Sequence, residues 1–116
     1  MQRRFRLTRS SDFKRVRRYG KSYAHPFIVL MTQPSELPGI RVGVAAGRSV
    51  GNAVRRNRAK RLMRAAVEPL LTEIKTGWDL VIIARYSLLD QKTPEIRTAL
   101  TELLERAQLI TPSHES

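Results

Sequence analysis

Six basic side chains and one amide crowd into ten residues: Arg55, Arg56, Arg58, Lys60, Arg61 and Arg64, with Asn57 among them and no acid between. On a helix, Arg56, Lys60 and Arg64 stack at i, i+4 spacing, where like charges repel and cost stability unless an anion is bound. A solvated helix face ordinarily mixes signs; this one does not. The planar fork of arginine matches phosphate oxygens, and Asn57 can donate or accept toward a base edge, a 2′-hydroxyl or a hydrated metal ion. The chemistry on offer is polyanion binding.

The segment just before this run, Gly47 to Asn52, holds two glycines with Arg48, Ser49 and Asn52. It lacks the Walker pattern, so it does not read as a nucleotide triphosphate loop. Because it leads into a helix N-terminus, its backbone N–H groups and the helix dipole can hold one phosphate, with Arg48 and Asn52 assisting. A plain turn that uses glycine for geometry fits those residues equally well. Catalytic side chains are scarce. His25 and His114 are the only histidines, and neither sits at metal-ligand spacing from another ligand. His25 reads as a surface strand residue. The acids are scattered, mostly in the C-terminal half as helix-face partners such as Glu102 and Glu105; they read as solvated positions, and no paired-carboxylate site emerges.

Several elements must position these residues. Ser10 or Ser11 can cap a helix running to about Tyr19, with Gly20 as a left-handed terminator. Phe13 and Val16 share its apolar stripe, while Lys14, Arg15, Arg17 and Arg18 cover the rest. Ser22 to Thr32 reads as one strand, with Phe27, Val29 and Met31 on one face and Ile28 and Leu30 on the other. A turn-rich segment, Gln33 to Gly39, joins it to a second strand, Ile40 to Ala46, most simply as an antiparallel hairpin. A helix from about Ala53 buries Ala59, Leu62, Met63, Ala66 and Leu70, and Pro69 ends or kinks it. Trp78 to Arg85 reads as a central strand, and Thr93 or Pro94 opens a last helix with Ile96, Leu100, Leu103, Leu104 and Ala107 in phase. The tail from Thr111 reads as frayed. Together these predict an α/β or α+β two-layer sandwich with one small sheet, in the order α-β-β-(β)-α-β-α.

At 116 residues the chain suits one domain, residues 1–116, with an ordered core of about 6–109. Its 41% hydrophobic and 28% charged residues are a globular balance, so a packed core is expected without help. Cysteine is absent, which excludes disulfides and thiolate metal sites and suits the reducing cytoplasm. No stretch reaches the ~18 apolar residues of a membrane span, and the N-terminus lacks the apolar segment of a secretory signal. Its arginines and serines would also suit a transit peptide, but Asp12, Phe13, Val16 and Gly20 read as part of a folded helix. The formal charge of +12 is lopsided: residues 1–67 carry 17 Lys and Arg against Asp12 and Glu36, and residues 68–116 carry 5 against 8 acids. Such a field repels itself, and a nucleic acid bound through counterion release would relieve it.

The run Gly51 to Ala66, GNAVRRNRAKRLMRAA, resembles the signature helix of the bacterial ribonuclease P protein family through Arg56, Asn57, Arg58, Lys60 and Arg61. RLTRSSDFKRV near the N-terminus, RVGVAAGRSV before the helix and DLVIIAR after it extend the resemblance over roughly Arg6 to Leu109. It implies an accessory subunit whose large RNA partner is the catalyst, cleaving the 5′ leader from precursor tRNA with magnesium held mainly by RNA and substrate. One protein per RNA is expected, and a left-handed βαβ crossover is implied. By position, Arg48, Asn52, Arg55, Arg56, Asn57, Arg58, Lys60, Arg61 and Arg64 would bind the catalytic RNA, with Asn57 giving outer-sphere support to a metal ion and no direct protein ligand. A cleft between the first helix and the sheet would receive the leader, lined by Phe13, Arg17, Phe27, Val29 and Met31. Arg17 stands where some members carry a second aromatic, so charge would replace part of the stacking. For Phe13, core packing beside Val16 stays open. The competing readings are a noncatalytic RNA-binding protein of ribosomal or chaperone type, a protein that cleaves RNA unaided, which lacks the needed base and acid, and a DNA-binding helix-turn-helix, which the flanking strands disfavour.

Overall fold

The computed structural model describes residues 1–111, so His114 and all of the tail beyond Thr111 lie outside the described residues. A short 3-10 turn at Arg3–Phe5 precedes helix α1, Ser10–Tyr19. Strands β1, Lys21–Ala24, β2, Ile28–Pro34, and β3, Ile40–Ala46, come next. Helix α2, Ala53–Val67, strand β4, Trp78–Ala84, and helix α3, Thr93–Arg106, complete the chain. The fold is mixed α+β, with one four-stranded sheet in the order β1-β2-β4-β3.

That order corrects the expected hairpin. β2 and β3 do not pair; β4 lies between them, antiparallel to β2 and parallel to β3. The continuous apolar run of β4 is the reason, because only a strand flanked on both edges and covered on both faces buries it. α2 is therefore the crossover between parallel neighbours. The single strand expected at Ser22–Thr32 is also two strands. They meet at a tight turn in which the His25 N–H donates to the Ile28 carbonyl at 2.9 Å, and Pro26 at the bend has no N–H to give a ladder.

Strand alternation separates the two faces of the sheet. Ile28, Leu30, Val42, Val44, Leu80 and Ile82 face α2 and α3 and join the main core, where Met63, Ile96, Leu100 and Leu103 are fully buried. The opposite face carries α1 over a smaller cluster of Leu7, Val16 and Val81, with Phe13, Met31 and Ile83 packed around it. The turn after α2 contains Pro69, and its Leu70, Leu71 and Ile74 close the main core.

Two helix-end expectations are corrected. Arg9, not a serine, occupies the α1 N-cap, and no side chain caps it. Gly20 has φ −76°, an extended backbone rather than a left-handed one. It is needed for proximity instead: a Cβ there would stand 2.5 Å from the Val16 carbonyl oxygen and 2.7 Å from that of Thr32.

Candidate nucleic-acid interface

The loop before α2 is built around Gly51 and Asn52. Gly51 has φ +132°, a backbone that favours glycine, and a Cβ would meet the Arg55 side chain at 2.6 Å. Arg55 folds back through this space and its Nε donates to the Val50 carbonyl at 3.0 Å. Asn52 is the N-cap of α2, its Oδ1 accepting from the Arg55 N–H at 3.0 Å. Both residues thus have structural tasks beside the RNA binding expected of them: Arg55 gives its Nε to the loop, and Asn52 gives one acceptor site of Oδ1 to the cap and keeps its amide NH2 unengaged within the described residues. Arg48 is exposed in the turn between the two glycines.

Along α2, Ala59, Met63, Ala66 and Val67 turn into the core. That leaves Asn57, Arg58 and Arg61 exposed and Arg56, Lys60 and Arg64 half-buried on a flank. Among the described residues no carboxylate lies within 4 Å of any of these cations. Lys60 and Arg64 line one wall of an open cleft of about 270 Å³ whose other walls include Arg6, Thr8, Phe13 and Gly43. The N-terminal segment is held there by the Leu7 N–H, which donates to the Val42 carbonyl at 3.0 Å, so Arg6 is brought to α2 by the β3 edge. Partial burial, and then the neighbouring charge of Arg6, pull the Arg64 guanidinium below its ordinary pKa. Among the described residues, three side-chain cations, a hydroxyl and no carboxylate line this open notch, a setting suited to a phosphate.

On the other side of Phe13 the α1 face of the sheet is only partly covered. Val29, Ile83 and Ala45 are aligned in register across β2, β4 and β3, and all three are half-buried. Helical periodicity places Phe13 and Arg17 on the same flank of α1, opposite Asp12 and Arg15. Phe13 is half-buried over Gly43, Arg17 is exposed, and Met31 packs beneath the helix. The result is a shallow apolar strip with an aromatic and a cation beside it. Phe27 does not belong to it: it precedes β2, packs against the main core, and holds His25 edge-on at a centroid distance of 4.5 Å. The alternation that placed Phe27 with Val29 fails because the chain turns there.

His25, expected as a surface strand residue, is in that same turn and mostly buried, with its Nε2 3.7 Å from Glu102 on α3. Asp79 overturns the view of the acids as solvated. It is 1% exposed on β4, and accepts from Arg41 Nε at 3.0 Å, Arg41 Nη2 at 2.8 Å and Arg15 Nη2 at 2.5 Å. Arg6, Thr8, Ala45 and Ile83 were likewise not legible as site residues. An Asp inside a β-branched strand was the one signal that could have flagged Asp79.

Among the described residues no three His, Cys, Asp or Glu gather, and the exposed face of α2 offers guanidinium groups and the Asn57 amide rather than carboxylates. Nor does any helix among the described residues have the length and apolarity to cross a membrane.

A family model described as Ribonuclease P matches residues 1–108. The ribonuclease P protein component of Symbiobacterium thermophilum is 42% identical over 95% of this chain and 96% of its own length. That of Herpetosiphon aurantiacus is 38% identical over 94% and 89%. Among solved structures, an RNase P protein of Staphylococcus aureus superposes with a TM-score of 0.80 at 30% identity, covering 92% of this chain and 98% of that one. The RNase P protein of Thermotoga maritima gives 0.76 at 28%, covering 87% and 96%. A family model over residues 1–108 and relatives of 38% and 42% identity that match nearly end to end show that this chain belongs to the ribonuclease P protein family.

Proposed function

We propose that the chain is the protein subunit of ribonuclease P and assists the endonucleolytic removal of the 5′ leader from precursor tRNA in the cytoplasm, with an RNA partner performing the hydrolysis. The observation that carries this reading is the set of α2 cations that have no carboxylate partner among the described residues, a face whose self-repulsion a phosphate backbone would relieve. Asn57, Arg58 and Arg61 on the exposed face, with Arg48 at the loop, bind the catalytic RNA. Arg56 flanks them. Lys60 and Arg64, joined by Arg6 and Thr8, hold phosphates where α2 meets the β3 edge.

The leader lies along the strip of Val29, Ile83 and Ala45, with Phe13 as its aromatic wall and Arg17 on its backbone. Base stacking on an aromatic side chain is worth ~1–3 kcal/mol, so one ring suffices for a useful increment in affinity. The catalytic centre lies in the RNA on this reading, and the protein supplies position and charge. Magnesium, which neutralises charge developing on phosphate oxygens, belongs to the RNA and substrate, because the α2 donor set suits at most a hydrated ion beside Asn57. One protein binds one catalytic RNA.

The deciding experiment is cleavage of precursor tRNA by the cognate RNA at low magnesium, with and without this chain. Cleavage that requires the RNA and is enhanced by the protein supports the proposal. Cleavage by the protein alone, or no lowering of the magnesium requirement, rejects it; RNA binding without such an effect would point to a noncatalytic chaperone.

A further inference from the structure

Of the 22 Lys and Arg in the sequence, Arg15 and Arg41 are the ones whose side chains form ion pairs among the described residues, and both pair with the same two carboxylates. Arg15 reaches down from α1 and Arg41 up from β3; Asp79 of β4 sits beneath them and Asp12 of α1 beside them. Arg41 spans Asp79 with a fork of two hydrogen bonds and comes within 3.5 Å of Asp12. Arg15 bonds Asp12 at 3.2 Å and also donates to the Gln33 side chain of β2. One helix is thereby tied to three strands by a single half-buried ionic cluster.

The cluster lies in register with the leader strip. Gln33, Asp79 and Arg41 form one cross-strand row; Met31, Val81 and Gly43 form the next, under α1; and Val29, Ile83 and Ala45 form the third. α1 thus rests on the middle row, with the ionic row along one flank and the open strip along the other. Its apolar footing is slight, since Val16 is its one fully buried side chain. Apolar contact of that size is nondirectional and allows a helix to roll or slide, whereas a forked guanidinium–carboxylate pair fixes position and angle. A buried ion pair adds little net stability over apolar packing of the same volume.

We propose that Asp79, through Arg15 and Arg41, is a positioning residue that sets how far α1 stands from the strip and so where Phe13 and Arg17 meet the leader. The inference rests on the leader-binding reading above. The same pairing closes Arg15 and Arg41 to RNA, although they lie in the basic half of the chain. The hydrogen bond to Asp79 holds the Arg15 guanidinium above its ordinary pKa.

The test reconstitutes the holoenzyme from full-length protein and cognate RNA, and measures KM and kcat on precursor tRNAs with a long leader and with a one-nucleotide leader. Asp79→Asn, which keeps the shape and removes the charge, is expected to raise KM for the long leader by roughly tenfold, about what one stacking contact contributes. KM on the short leader, kcat at saturation and affinity for the RNA are expected to hold. Arg15→Lys should recover part of the loss seen with Arg15→Gln. Equal losses on both leaders would make the cluster merely structural and overturn the proposal, as would an unchanged long-leader KM. If Asp79→Asn does not fold, Arg15→Gln and Arg41→Gln, each removing one arm at a half-buried position, carry the same comparison. Should the wild-type protein confer no preference for the long leader, the leader reading itself fails. A preference that survives all three substitutions overturns the positioning role alone.

Discussion

The ring of Phe13 lies directly on Gly43 of β3, so close that a Cβ at that position would overlap its edge. The half-buried aromatic is therefore both a packing group and a wall of the open surface, and the two readings of Phe13 are not exclusive. Gly43→Ala is expected to push the ring outward, costing about 1–3 kcal/mol as overpacking does. Urea denaturation should show that loss. Steady-state kinetics should show a greater fall in long-leader than in short-leader affinity; a stability loss with equal affinities would limit Phe13 to packing.

The exposed cations of α2 should differ from Arg55. Arg61→Ala is predicted to weaken binding to the catalytic RNA and to lower the salt slope of log K by about 0.7–0.9, one phosphate contact. Arg55→Ala should leave the slope closer to wild type and instead loosen the loop, because its Nε is committed to the Val50 carbonyl. Filter binding across a salt series separates the two. Identical slopes in Arg61→Ala and wild type would remove that residue from the interface.

Arg6 and Arg64 should oppose each other in the free protein. The depressed pKa of Arg64 means that folding disfavours its charged form, a cost present at every pH below the folded value and hence throughout the neutral range. Arg6→Gln is expected to stabilise the free protein by roughly 0.2–0.5 kcal/mol, the size of a surface like-charge repulsion, while weakening RNA binding. Phosphate or sulfate should raise the melting temperature more than chloride at matched ionic strength, and less so in Arg6→Gln. A melting temperature indifferent to the anion would remove the phosphate notch.

Asn52→Ala should lose the cap of α2 at a cost of about 1 kcal/mol, within the usual 0.5–2. Asn52→Asp should retain the cap and favour the helix dipole. If Asn52 also meets RNA, Asp should bind more weakly than Asn despite equal or greater stability. Chemical denaturation alongside RNA titration checks both halves.

Much of the fold was legible locally. Helical periodicity and Thr93 or Pro94 located α3, the apolar run from Trp78 to Arg85 marked a central strand, and the glycine-bearing loop leading into an in-phase helix from about Ala53 marked α2. Errors arose where a distant strand, a local turn or the exact helix start decided the outcome. β2 and β3 adjoin in sequence, yet β4 enters between them because it needs two partners. Phe27 alternates correctly with Val29 until the turn at Pro26 ends the strand. Ser10 has the chemistry of a cap, but the helix begins one residue earlier than that role requires.

The amino-acid sequence alone establishes an acid-free cationic helix, and the order of Arg56, Asn57, Arg58, Lys60 and Arg61 is enough to suggest its family. Charge type and helical spacing are local properties, so they survive without coordinates. Which cations are free was decided by tertiary structure alone. Arg15 and Arg41 resemble the other arginines in sequence, yet strand order brings Asp79 beneath both and withdraws them, while the β3 edge carries Arg6 to Arg64, a pair with no carboxylate partner among the described residues. An ion pair depends on separations of a few ångströms between residues far apart in the chain, and only the packed sheet sets those distances.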